Sequence, residues 1–332
     1  MRRKILIWSL LSVLSILIYL TVWMISQYDT IIFNLNDPDR SQRFITAMLQ
    51  IFERRTFQVI ALILSSVLIV YSTLSFQTLT NNRIITPSLL GFDSIYVVVQ
   101  TTIVYFFSSV SIWILDPILN FIISVTFMTG ITILMFRTVL KKNKNNILLL
   151  LLIGMVISTL ASNYAQFLQI LMDPNEFQTI SQLTSVSVVN INHPLTIITL
   201  PFAVFIVIYF LFKTKVLDVM SLGESHAKNL GVDYPKESMI QLIMISISIS
   251  LVTALVGPLS FLGLIAVNIA KELYKKYHHL EILILGSLVA IVILVFGQSV
   301  VELLGFQTTV STFMNLAGGI YMIYLIVKEH QT

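Results

Sequence analysis

Cysteine is absent from all 332 residues, which excludes disulfides, thiolate metal sites and cysteine nucleophiles. Charge is scarce as well. Asp, Glu, Lys and Arg make up 11% of the chain, where a soluble domain carries about 25%. A chain of this length with so little charge cannot cover a globule with polar surface. No H-E-x-x-H pair marks a zinc protease, and no G-x-x-x-x-G-K-[ST] loop marks a chain that hydrolyses ATP itself. No ionisable residue falls mid-way along an apolar run. Asp93, Asp116, Glu281 and Glu302 read as lying near run ends, where water or snorkelling satisfies them. A sodium- or proton-coupled carrier is thereby left without midplane carboxylates or broken helices. No filter-like repeat points to a channel.

What is present is hydrocarbon-like sequence: 56% hydrophobic residues and a mean hydropathy of +0.90. Apolar runs recur about every thirty residues, and many reach the roughly 20 residues that cross about 30 Å of hydrocarbon as helix. They lack the alternation of a membrane barrel. The fold class expected is an all-α polytopic membrane protein, one transmembrane domain over residues 1–332, with about ten spans. These fall at 5–25, 57–76, 92–109, 118–136, 147–172, 195–212, 238–256, 261–271, 280–303 and 310–327. The eighth is too short to cross alone and reads as a half-span or re-entrant element. The segment before the third, "TNNRIITPSLLG", is expected to dip partly into the protein. The first run follows Arg2, Arg3 and Lys4 but lacks a small-residue cleavage site, so it reads as a retained helix.

Ten spans place both termini on one side, and the basic residues say which. Sixteen of the 20 Lys and Arg fall on that side; only Arg40, Arg43, Arg54 and Arg55 fall on the other. By the positive-inside rule both ends are cytoplasmic, so the basic balance is topological and no nucleic-acid partner is implied. Residues 26–55 and 173–194 become the long external loops. Within the spans the deep polar groups are amides and hydroxyls. Asn163, Gln166 and Gln169 recur with Ser162 at helical spacing, which makes that helix the best candidate for lining a pathway; the bland alternative is helix–helix adhesion. The five histidines lie in loops or tails, and His278–His279 reads as a solvated turn. No metal site and no catalytic residue is expected.

One connector is too long for its task. Residues 217–236, "LDVMSLGESHAKNLGVDYPK", spend about twenty residues where a helix–helix connection needs 2–8. Ser221 and Glu224 stand three apart, as in a capping box. Gly231 suits a helix stop, and Pro235 the first turn of the next helix. Leu222, Ala227 and Leu230 are expected to line one apolar side. The segment reads as a small amphipathic plug for a soluble partner.

This segment resembles the "LGxxxAxxLGV" stretch of permease subunits of bacterial ABC importers for iron–siderophores, haem and cobalamin, through Leu222, Gly223, Ala227, Leu230, Gly231 and Val232. "GPLSFLGLIAVNIAK" is similar to that family's "GxIxFIGLxxPHIxR" through Gly257, Phe261, Gly263 and Leu264, with Val267-Asn268 replacing Pro-His. "FQTLTNNRIITPSLLGFDS" is similar to "xQxLxxNPLAxPxLLGxS" through Gln77, Leu79, Asn82, Pro87, Leu89, Leu90, Gly91 and Ser94. The external "RLPR" becomes Arg55-Thr56-Phe57-Gln58, and the final "GAP" becomes Ala317-Gly318-Gly319.

The resemblance implies a type II importer permease for iron–siderophores, of a branch associated with catecholate-type chelates. Haem or cobalamin is the alternative within the family, and a self-sufficient channel or secondary carrier the alternative outside it. It implies that Ser221, Leu222, Gly223, Glu224, Ala227, Leu230 and Gly231 couple the chain to an ATP-binding subunit dimer. It implies that Arg55, with Arg54, Arg40 and Arg43, docks an extracytoplasmic substrate-binding (lipo)protein. A second permease, identical or related, completes the pathway. The chain itself needs no cofactor, because ATP–Mg belongs to the partner ATPase.

Overall fold

The computed structural model describes residues 2–28, 31, 33, 38–142, 147–186, 188, 191, 193–305 and 309–329. Among them are thirteen α-helices and one 3-10 turn, with no strand. Eight helices are long and apolar enough to cross a membrane: α1 (Arg2–Ser26), α2 (Pro38–Thr80), α5 (Pro117–Lys142), α6 (Ile147–Ile170), α8 (His193–Met220), α10 (Tyr234–Val256), α12 (His279–Leu303) and α13 (Val310–Glu329). The all-α polytopic membrane class is therefore what the chain adopts.

The third and eighth expected spans are shorter helices, α3 (Phe92–Phe107) and α11 (Leu262–Leu273), of 16 and 12 residues. At 1.5 Å per residue they rise roughly 24 and 18 Å, short of the about 30 Å needed to span. Both begin inside the protein. After α2 the chain turns at Asn81 (φ 48°) and returns through a 3-10 turn, η1 (Pro87–Leu90), whose Pro87 and Leu90 are buried. Gly91, at φ 88°, supplies the left-handed residue that launches α3. η1 lies hard against α6 because position 154 has no side chain. A Cβ on Gly154 would stand 2.9 Å from the Leu90 Cα. The segment thus dips as its sequence suggests. On the far side of the core, Gly257 (φ 105°) ends α10, and Leu259–Phe261 lead into α11.

The hub is α2. Its apolar stretch is 78% buried, against 22% for α1, α6 and α13, so α2 is core and the others are periphery. It packs on α8, α10, α11 and α12, while α1 lies on α12, α3 on α6 and α5 on α10. Lipid tails are as apolar as leucine, so helices in a bilayer gain mainly by close approach of small side chains. Ser65, Ser66, Ser72 and Ser75 of α2, and Ser246 and Ser250 of α10, are fully buried. Their hydroxyls have no hydrogen-bond partner. Their contribution is size, not bonding.

The expected external loops carry helix. Residues 38–55 are the N-terminal part of α2, continued by apolar Phe44, Ile45, Met48, Leu49 and Phe52 at helical spacing. Residues 174–184 form α7 (Pro174–Thr184), anchored by buried Ile180 and by the Tyr96 hydroxyl donating to the Leu183 carbonyl at 3.0 Å.

Candidate functional site: a connector helix, a buried ion pair and a junction of two short helices

The connector after α8 folds into a short helix, α9 (Glu224–Asn229). Its end is a Schellman motif. Val232 N–H donates to the Ala227 carbonyl and Gly231 N–H to the Lys228 carbonyl, both at 3.0 Å, with Gly231 at φ 86°. The helix stop expected at Gly231 is thus made by the mechanism that favours glycine there. Asp233 caps α10 by accepting from Lys236 N–H at 3.3 Å, and Pro235 sits in the first turn.

Two expectations for this segment fail. The capping box does not form. Gly223 takes the N-cap position, the Ser221 hydroxyl donates back to the Asp218 carbonyl at 2.7 Å, and Glu224 pairs with Lys228 at 2.7 Å. Nor do the three apolar residues share a side. Ala227 is fully buried against α8 and α10, whereas Leu222 and Leu230 are 56% and 62% exposed. The small residue seats the plug, and the two leucines are left to face outward.

The root of the segment is pinned by a group the sequence reading left in solvent. His279 is buried, and it begins α12. Asp218, in the last turn of α8, accepts from its backbone N–H at 2.8 Å and stands 2.6 Å from its Nδ1. Nε2 lies 2.7 Å from the Thr78 hydroxyl of α2. One carboxylate on α8 thus satisfies an open N–H at the start of α12. The imidazole carries the connection on to the hub. His278, by contrast, is exposed.

At the opposite end of the hub, Arg55 is not a free outer cation. Its side chain is 11% exposed; it pairs with buried Glu302 of α12 and donates to the Tyr19 carbonyl at 2.6 Å. Its guanidinium also lies 5.0 Å from the Tyr19 ring centre and 5.9 Å from that of Trp23. Glu302 stands in the last turn of α12, where the helix dipole disfavours an anion, and Arg55 offsets that. Glu302 therefore does not rely on water, as its place near a run end suggested. Arg54 is exposed. Arg40 and Arg43 fall in the first turns of α2, and their side chains lie outside the described structure.

On α6 the polar residues divide. Ser158 and Ser162 turn inward to Ser94 at 2.7 and 3.0 Å, and Gln169 donates to the Thr101 hydroxyl at 3.2 Å. Asn163 and Gln166 are exposed on the outer face of the helix. The three amides are not brought together within one chain. Among the described residues no three His, Asp or Glu side chains converge as a metal site.

A model of the FecCD transport family matches residues 6–328. This chain belongs to that family. It is similar to the petrobactin import system permease protein YclO of Bacillus subtilis (strain 168), with 46% identity over 283 residues, 84% of this chain and 89% of that protein. It is 29% identical over 307 residues to the petrobactin import system permease protein FatC of Bacillus anthracis, covering 92% of this chain and 86% of that one. A solved chain described as an inward-facing, metal-chelate type ABC transporter superposes with a TM-score of 0.79 at 20% identity. It covers 98% of this chain and 99% of that one, a likeness of fold.

In this FecCD-family chain one site escaped the sequence reading. Asp93 lies in the first turn of α3 and accepts from Ser260, just ahead of α11, at 2.6 Å. Both helices start inside the protein, at buried Phe92 and Leu262, so Asp93 sits in the interior rather than at a water-facing run end. A void of about 10 Å³, the size of one water, adjoins it between Thr73, Ser88 and Thr253. The available signal was the shortness of the eighth run and the dip before the third. Together they moved Asp93 from a run end to the interior.

Proposed function

We propose that this chain is the permease subunit of an ATP-driven importer that carries an iron–siderophore complex, of the petrobactin class, inward across the cytoplasmic membrane. The observation that carries this is the 46% identity, spread over 84% of the chain, to a protein named as a petrobactin import permease. The charge asymmetry of the sequence supports cytoplasmic termini and a cytoplasmic α9. An ATP-binding subunit dimer holding ATP–Mg then docks at Ser221–Gly231. Leu222 and Leu230 are its apolar anchors, Glu224 a polar contact, Gly223 and Gly231 the turns that fix the plug, and Ala227 its seat. The chain performs no hydrolysis of its own. Closure of the ATPases moves α9, and Asp218 and His279 pass that displacement to α12 and to the α2 hub.

A second permease, identical or related, faces α6, so that Asn163 and Gln166 meet the substrate route between two chains and Gln169 fixes the helix behind them. An extracytoplasmic binding lipoprotein docks on the outer part of α2 through Arg54, Arg40 and Arg43. Arg55 joins them only by leaving Glu302, so docking and the outer ion pair compete for one guanidinium.

The test is uptake of ferric petrobactin into proteoliposomes holding this chain with its ATPase and binding protein. ATP-dependent accumulation, with none when the ATPase is omitted, is the expected result. The junction at Asp93 favours one rival reading, a self-sufficient carrier, because broken helices around a carboxylate serve ion coupling elsewhere. Flux through this chain alone would establish that rival and overturn the importer.

A further inference from the structure

A cavity of about 870 Å³ opens on the face that carries α9, between the ends of α2, α11 and α13 and the start of α12. Its polar wall is basic: Arg83, Lys271, Lys275 and Lys276 against a single acid, Glu272. The remaining wall includes apolar Leu74, Ile282 and Leu325. Two amides build it. Gln77 donates to the Arg83 carbonyl at 2.7 Å and accepts from Lys271 Nζ at 2.7 Å. Asn268 donates to the same Arg83 carbonyl at 2.9 Å. The turn after α2 and the ammonium of α11 are thereby held in fixed relation.

The three lysines are under-used. An ammonium has three donors, and Lys271 spends one, on Gln77. Lys275 and Lys276 form no ion pair among the described residues. Three ammonium groups with one protein acceptor between them among the described residues, beside an apolar wall, form a site for an anion. A basic hollow between transmembrane helix ends is the chemistry that holds a phosphate headgroup, with apolar surface left for the glycerol and chain. Leu325 continues into the exposed apolar residues Ile323, Ile326 and Val327 of α13, where an acyl chain would lie.

We infer that this cavity binds a phosphate-bearing anion, supplied by an anionic phospholipid headgroup or by soluble phosphate, through Lys271, Lys275 and Lys276. Seated there, the anion would tie the end of α2 to α11 and α12 beside Ser221, at the root of the segment proposed to meet the ATPase.

The test is thermal unfolding of the full chain, purified in detergent, with added phosphatidylglycerol, phosphatidylcholine or inorganic phosphate. Phosphatidylglycerol is expected to raise Tm by several degrees more than phosphatidylcholine. That difference should vanish in K271Q/K275Q/K276Q and persist in R137Q/K215Q/K236Q, which removes three exposed cations elsewhere on the same face. If inorganic phosphate reproduces the shift and abolishes the lipid difference, the soluble anion is the occupant. Equal shifts from both lipids with no phosphate effect would overturn the site. So would equal loss in the two triple variants. If the cavity triple fails to fold, K275Q/K276Q alone carries the same comparison, with at least half the difference expected to go.

Discussion

Ser260 Oγ donates to Asp93 Oδ2 at 2.6 Å and so joins residues 167 apart, one at the start of each short helix. The first turn of α3 supplies part of the favourable field for the carboxylate, and the serine hydroxyl supplies a direct donor. The bond is a clasp between two elements that enter the core from different sides of α2, α3 by way of η1 and α11 by way of Gly257. With Gly263 allowing α11 to lie directly against Thr73 of α2, the clasp sets where both short helices begin.

Removing the acceptor should therefore loosen both. Asp93→Ala leaves the Ser260 hydroxyl without its partner in a largely buried site, at a cost of about 1–3 kcal/mol. Asp93→Asn keeps an oxygen acceptor and should lose much less. Thermal unfolding of the purified permease ranks the two, and identical Tm values for alanine and asparagine would mean that the clasp carries no load.

Two glycines give an internally controlled comparison. A Cβ at Gly154 meets the Leu90 Cα at 2.9 Å, and backbone cannot swing aside as a side-chain tip can. Gly154→Ala should cost about 1–3 kcal/mol as overpacking and push η1 off α6. At Gly130 a Cβ meets nothing within 4 Å, and alanine is the better helix former by about 1 kcal/mol. Gly130→Ala should leave Tm unchanged or raise it. The reverse order would show that η1 does not rest on α6.

These contrasts mark what one sequence could and could not say. The long apolar runs, the half-length of the eighth, the dip at Pro87–Leu90 and the stop at Gly231 are local signals. Each is read along one contiguous stretch of chain. The pairs Arg55–Glu302, Asp93–Ser260 and Asp218–His279 join different helices, so no periodicity along one helix reports them. α9 failed for a related reason. Six residues make fewer than two turns, too few to fix an apolar face. Ala227 was drawn inward by α8 and α10, and no pattern within the segment encodes that.

The outer ion pair predicts a coupling that singles alone would miss. Glu302→Gln strands a buried guanidinium, and Arg55→Gln strands a buried carboxylate. Each should cost about 3–5 kcal/mol, while the double variant, with no buried charge, should cost clearly less than the sum. Chemical or thermal unfolding of the four proteins closes the cycle. Strict additivity would mean that the pair is not an interacting unit.

The two faces of α9 separate folding from coupling. Leu222→Asp with Leu230→Asp changes only exposed side chains, so the permease should insert and unfold as the parent does. ATPase co-purification and uptake should both be lost, because a docking face with two added carboxylates must desolvate them. Ala227→Asp places a carboxylate where no solvent reaches. It should dislodge α9 from α8 and α10 and lower Tm as well. The informative quantity is the ratio of bound ATPase to folded permease, measured on the same membranes. If the double leucine variant keeps that ratio at the parent value while transport continues, α9 is not where the ATPase binds. If instead it lowers Tm as far as Ala227→Asp does, the leucines belong to the fold rather than to a docking face.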